Sequence, residues 1–102
     1  MTDPFGGMGG LLGGLQEQMQ ALQAEAEKSE VEGVAGGLVR VRMNGAQEVL
    51  AVTIDAKAQA DKELLEDLVR AATNDAIRRS KEVVATKLAE LAQSMGLPPG
   101  LF

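Results

Sequence analysis

Asn44-Gly45 is the feature that most constrains the fold of this chain. The dipeptide is the strongest short signal for a β-hairpin, because both residues tolerate the positive φ that a tight turn between twisted strands needs. Upstream, Leu38-Val39-Arg40-Val41-Arg42-Met43 alternates, with Val39, Val41 and Met43 on one face and Arg40 and Arg42 on the other. Downstream, Leu50, Val52 and Ile54 form the apolar row of the returning strand. A strict two-residue turn sets Val41 opposite Glu48, whereas a four-residue loop, Asn44 to Gln47, sets Val41 opposite Leu50 and Val39 opposite Val52. The longer loop is the expectation, since apolar cross-strand pairs each contribute roughly 0.2–1 kcal/mol.

Helical patterns flank the hairpin. Residues 1–14 hold six of the twelve glycines, a density whose backbone entropy cost opposes helix initiation, so a flexible leader is expected there. From Leu15 the pattern changes. Leu15, Met19, Leu22 and Ala26 follow a 4-3-4 spacing, a stripe narrow enough to resemble a coiled-coil seam. This helix is expected to fray near Lys28-Ser29-Glu30, the helical period is lost over Val31-Glu32-Gly33-Val34, and Ala35-Gly36-Gly37 reads as a turn. After Asp55 a short alanine-rich connector leads to a long helix, from about Asp61 to Met95. Acidic residues in its first turns suit the positive end of the helix dipole, and Gly96 is a natural stop. The fold class expected is α+β: an N-terminal helix, a three-stranded antiparallel sheet and a long C-terminal helix. One domain spans 15–96, and Leu-Pro-Pro-Gly opens a tail over 97–102.

The long helix carries two apolar faces. Leu65, Leu68, Val69, Ala72, Ala76 and Val83 share one side, and Val84, Leu88, Leu91 and Met95 lie on a face turned from it by about a quarter turn or more. Two buried faces need two partners, and a core of this size is marginal alone. An intertwined homodimer is therefore expected, its interface built from Leu15, Met19, Leu22, Val84, Leu88 and Leu91. The alternative is a monomer in which the two helices pack on each other.

Composition narrows the chemistry. The 102 residues contain no Cys, no His, no Trp and no Tyr. That removes thiolates, imidazole bases and the commonest metal ligands, so no catalytic residue, metal or cofactor is expected. Carboxylate pairs such as Glu63 and Asp67 fall at i, i+4 and read as a solvated acidic face. Gly6-Gly7-Met8-Gly9-Gly10 follows no strand and leads to no Gly-Lys-Ser/Thr, so it is no phosphate loop. Nothing reads as a secretory signal or a run long and apolar enough to span a bilayer, so a cytoplasmic protein without a membrane partner is expected.

Charge distribution says more than the net charge of −5. Residues 1–36 carry six acids and one base, whereas residues 70–87 hold Arg70, Arg78, Arg79, Lys81 and Lys87 against Asp75 and Glu82. Arg70, Arg78 and Lys81 project within about 80° of one another, opposite the first apolar stripe. One reading is a solvated face whose charges pair weakly, Asp75 with Arg79 and Arg78 with Glu82, both at i, i+4. The other is a patch that contacts phosphates, doubled by the dimer and sensitive to salt.

The order of segments resembles the YbaB/EbfC family of bacterial nucleoid-associated proteins. The resemblance rests on Leu15-Gln16-Glu17-Gln18-Met19-Gln20, Gly37-Leu38-Val39-Arg40-Val41, Asn44-Gly45-Ala46 and Val52-Thr53-Ile54-Asp55. It continues through Leu64-Leu65-Glu66-Asp67-Leu68-Val69, Asn74-Asp75-Ala76, Arg78-Arg79 and Leu97-Pro98-Pro99-Gly100. It implies a homodimer with helix, three strands and helix per subunit, whose helices project like the arms of tweezers and grip duplex DNA with little sequence preference. It also implies a place at the nucleoid and an influence on its organisation and on gene expression. The family's paired arginines match Arg78 and Arg79, and its next basic positions fall near Lys81 and Lys87. Family members often carry lysines in the first helix, whereas here the first basic residue is Lys28, which moves the expected contact to the long helix. Arg70, Arg78, Arg79, Lys81 and Lys87 are thus the candidate DNA-binding residues. No small-molecule substrate is expected. The alternative from another class is an adaptor or chaperone dimer acting with replication or recombination factors.

Overall fold

The computed structural model describes residues 6–94 and residue 96. The elements run α1 (Gly6–Lys28), β1 (Glu30–Ala35), β2 (Val39–Asn44), β3 (Val49–Ile54), α2 (Ala56–Gln59) and α3 (Lys62–Ser94). The three strands form one antiparallel sheet in the order β1-β2-β3, as the α+β expectation requires.

Two turns set the sheet. Gly36 and Gly37 join β1 to β2 with φ of 58° and 68°, a left-handed pair that glycine adopts without steric cost. At the other end the register departs from expectation. Val39 pairs with Ile54, Val41 with Val52 and Met43 with Val49, with an irregularity between Arg42 and Met43. Neither the two-residue turn nor the four-residue loop gives these partners. Asn44 is the reason. Its backbone N–H donates to the Glu48 carbonyl, and its Oδ1 accepts the Ala46 and Glu48 N–H groups, closing a three-residue loop with Gln47 at φ 62°. Since Arg42 pairs with Ala51 and Met43 with Val49, Leu50 is the extra residue of a bulge. The apolar row of β3 is therefore Val49, Val52 and Ile54, not Leu50, Val52 and Ile54.

The core lies between the sheet and α3. Val39, Val41 and Met43 are essentially fully buried with Ala58, Ala72 and Ala76, and Leu65, Leu68, Val69 and Ile77 pack around them. Each buried Val or Met side chain contributes about 1.5–3 kcal/mol. The alternating row of β2 supplies the sheet side of this core, and the small residues of α3 let the helix approach closely. At Gly33 the contact is backbone to backbone: a Cβ there would sit 2.2 Å from the Ala72 carbonyl oxygen. Ser80, fully buried, donates its hydroxyl to the Asn44 carbonyl at 2.8 Å, tying α3 to the β2–β3 turn. The Asp61 carboxylate accepts the Leu64 N–H and caps α3.

α1 corrects the expected leader. Helix extends back through Gly13 and Gly14 to Gly6, whereas residues 1–14 read as flexible; residues 1–5, Met95 and residues 97–102 lie outside the described part. Nucleation is the costly step of helix formation, and a helix already started from Leu15 onward extends at about 1 kcal/mol per glycine relative to alanine. The sequence spacing of Met8, Leu11 and Leu12 continues the stripe of Leu15 and Met19. At its other end α1 meets the hairpin, where the Gly45 N–H donates to the Ala26 carbonyl at 2.8 Å. The connector after Asp55 is the one-turn helix α2, and its Ala58 is fully buried.

Candidate nucleic-acid interface

α3 presents all five candidate cations, and four of them have carboxylate partners. Arg70 donates to Asp67 at 3.0 Å, with both side chains exposed. Lys87 lies 3.6 Å from Glu25 of α1 and is 28% exposed, so it fastens the two helices to each other. Arg79 donates through Nε to Asp75 at 3.1 Å, and Arg78 donates to the other oxygen of the same carboxylate. Lys81 is exposed and has no carboxylate within ion-pair distance among the described residues.

Asp75 organises this surface. Its Oδ2 also accepts the Val34 N–H at 3.0 Å, a donor on the edge strand β1. The Asp75 side chain is only 13% exposed, against 68% for Arg78 and 54% for Arg79. The Val34 N–H, followed by the Arg79 hydrogen bond, holds the carboxyl below its ordinary 3.8 against the opposing effect of burial, with lesser help from the two arginine charges. Of the two i, i+4 pairs read from the sequence, Asp75–Arg79 forms. Arg78 turns back to Asp75 instead of forward to Glu82. The carboxylate fixed by a backbone N–H offers Arg78 an immobile partner, and Glu82 stays exposed.

The outer face of the sheet holds further cations that the candidate set omitted. Arg40 donates to Glu32 at 3.2 Å, and Arg42 beside it is exposed without a carboxylate within ion-pair distance among the described residues. Together with Ala51 and Thr53 they line a shallow depression. The strict alternation of β2 is the signal that could have found them. The arrangement as a whole displays guanidinium and ammonium groups on largely exposed surface. Such groups bind phosphates by charge and by forked hydrogen bonds, and an exposed pair such as Arg70–Asp67, worth about 0–1 kcal/mol, opposes this little. Among the described residues no group of acids is placed to hold a metal ion.

Five of the six expected interface residues line two adjoining grooves. Leu15, Met19, Leu22 and Val84 line an open, mainly apolar groove of about 770 Å³, floored by Ala26, Gly45 and Ala46. Leu22 and Leu91 meet in a second groove where α1 packs back along the distal part of α3. Leu88, on the same part of α3, is half-buried. Met19 is 55% exposed, and the helix-facing side of β3 is likewise open, with Val49 51% and Val52 49% exposed. α3 lies over β1 and β2 and leaves β3 largely uncovered.

The fold and several stretches of sequence have known counterparts. The crystal structure of an uncharacterized protein from Helicobacter pylori, HP0035, superposes with a TM-score of 0.76 over 92% of this chain and 98% of that one, at 27% sequence identity. The model of the YbaB/EbfC DNA-binding family matches residues 3–95. This match takes in α1, the whole sheet and α3, and with them every cation discussed above. The chain belongs to the YbaB/EbfC DNA-binding family.

Proposed function

We propose that the protein is a nucleoid-associated protein of the cytoplasm that binds duplex DNA as a homodimer with little sequence specificity, through phosphate contacts, and so affects nucleoid organisation and gene expression. The observation that carries this reading is the α3 surface. Arg78 and Arg79 are exposed and held from beneath by a mostly covered carboxylate, with Arg70, Lys81 and Lys87 on the same helix. Phosphate contact by such groups carries no sequence information. The sequence has only two aromatics, Phe5 and Phe102, both outside the described part, so stacking on bases has no platform among the described residues.

The dimer is supported by the open apolar surface. Leu15, Met19, Leu22 and Val84 border one groove, and Val49 and Val52 of β3 are largely uncovered by their own α3. A second copy seated there removes both from water. It also doubles the cationic surface, which matters for a chain whose net charge is −5.

Salt dependence tests the reading. With four to six phosphates neutralised per dimer, log K falls against log salt with a slope of about −4 to −5. The measurement is a titration of a long duplex at several ionic strengths, on protein of known oligomeric state. A flat response removes phosphate contact as the mechanism.

A further inference from the structure

We propose that Asp75 is a built-in counter-ion of the DNA-contacting surface, which holds Arg78 and Arg79 in place, offsets one of their two charges, and thereby limits the affinity and the salt sensitivity of DNA binding. The inference rests on the phosphate-contact reading above. It adds a residue that sets the strength of the contact without touching DNA.

Three features separate Asp75 from an ordinary surface acid. First, it is anchored. The Val34 N–H of β1 donates to Oδ2 at 3.0 Å, so the carboxylate cannot swing away from the arginines without leaving an edge-strand donor unpaired. Second, it is layered beneath the cations, 13% exposed where Arg78 and Arg79 are 68% and 54% exposed. An arriving phosphate therefore meets guanidinium groups first and cannot displace the acid into solvent. Third, it is shared. Each arginine commits one nitrogen to Asp75, Arg79 through Nε and Arg78 through a terminal nitrogen, and keeps its other N–H groups for a second acceptor. The trio carries a net +1 where two free arginines would carry +2.

Asp67 is the internal control. It bears the same charge and pairs with Arg70, but both partners are exposed, at 66% and 73%, and Asp67 takes no backbone N–H from the sheet among the described contacts. That pair opens when a phosphate arrives, and the Asp75 cluster does not.

Asp75→Asn keeps a carbonyl oxygen for the Val34 N–H and removes the charge. Duplex titrations compare wild type, D75N, Asp67→Asn and the double variant R78Q/R79Q between 50 and 200 mM salt, each confirmed folded by circular dichroism. D75N is expected to bind more tightly at low salt, with a slope steeper by about 0.9 per bound subunit. Its advantage over wild type is then about 3.5-fold larger per subunit at 50 mM than at 200 mM. D67N is expected to show less than half of that change, and D75N added to R78Q/R79Q none. Weaker binding by D75N overturns the inference, as does an equal gain in D67N, which would mark a bulk charge effect. Loss of binding in R78Q/R79Q with D75N unchanged overturns it too, but leaves the DNA reading standing. Unchanged binding in R78Q/R79Q overturns it as well and moves the phosphate contact to other cations. Should D75N fail to fold, nuclear magnetic resonance of the ¹⁵N-arginine wild-type protein decides. The Arg79 Nε–H is expected to be protected from solvent exchange, and to stay protected when a short duplex is added. Exchange as fast as that of free arginine overturns the inference.

Discussion

Gly33 and Asp75 show how single residues fix the helix on the sheet. At Gly33 a methyl group would lie 2.2 Å from the Ala72 carbonyl oxygen and 2.4 Å from the Ala76 nitrogen. Both are backbone atoms of a helix that also covers β2, so no side chain can turn aside to make room. Gly33→Ala therefore forces α3 away from the strand, at a cost of about 3 kcal/mol or more, the upper end for overpacking. The expected outcome is a lower urea midpoint, and an unchanged midpoint would show that α3 does not rest on β1 at this point. Asp75 makes the same junction sensitive to acid. Its folded-state pKa lies below the unfolded 3.8, so the native state binds this proton less readily than the unfolded chain. Its contribution to stability is full above the unfolded value and is lost as pH falls through the depressed one. The difference in urea midpoint between pH 7 and pH 3 should accordingly be smaller in D75N than in wild type. An identical acid loss in the two proteins would show that other carboxylates carry the effect.

At the scale of elements, what could be read from the chain was what depends on neighbours in sequence. The alternation of Val39, Val41 and Met43 located β2 and its buried face, and the acidic start and glycine stop bounded α3, whose helix ends at Ser94 just before Gly96 at φ 78°. The strand register was not legible, because Leu50 has the same hydrophobic character as its neighbours and nothing in its type marks it as the bulged residue. The deciding contacts are those of the Asn44 side chain with Ala46 and Glu48, which apolar pairing alone does not weigh. β1 was hidden for a related reason. Its Gly33 is chosen for the approach of α3, forty residues away in the chain, and breaks any local pattern of apolar residues. The early start of α1 shows the reverse error, a local penalty at the glycines that continuation of an established helix outweighs. The candidate site was legible as a list of cations on α3 and not as an electrostatic unit. Nothing local reveals that Asp75 is anchored by Val34, and that anchoring is what draws Arg78 away from Glu82.

The shape of the whole molecule bears on how a chain of this charge holds DNA. Its extents are 74 × 24 × 18 Å and its radius of gyration is 19.6 Å, against about 13 Å for a compact domain of 100 residues. The length comes from α1 and α3 running beyond the sheet as an arm, closed by Lys87–Glu25 and the Leu22–Leu91 groove. Such an arm buries little apolar surface by itself and leaves Met19 and Leu15 open. A second copy that covers them stabilises the arm and brings two α3 surfaces to bear on one duplex, so assembly and DNA binding are coupled in this reading. Met19→Glu separates the two. Met19 is 55% exposed in the single chain, so the change leaves the subunit folded, while a carboxylate buried in the shared groove raises the dimer dissociation constant by about tenfold or more. Sedimentation should give twice 10.7 kDa for wild type and a shift toward the single subunit for M19E. The salt slope of duplex binding should fall toward half its wild-type value at concentrations where M19E is monomeric, since half the phosphates are then neutralised per binding unit. Wild-type protein that sediments as one subunit at tens of micromolar would remove the second copy. The apolar groove would then need another occupant, and α3 would have to hold DNA alone.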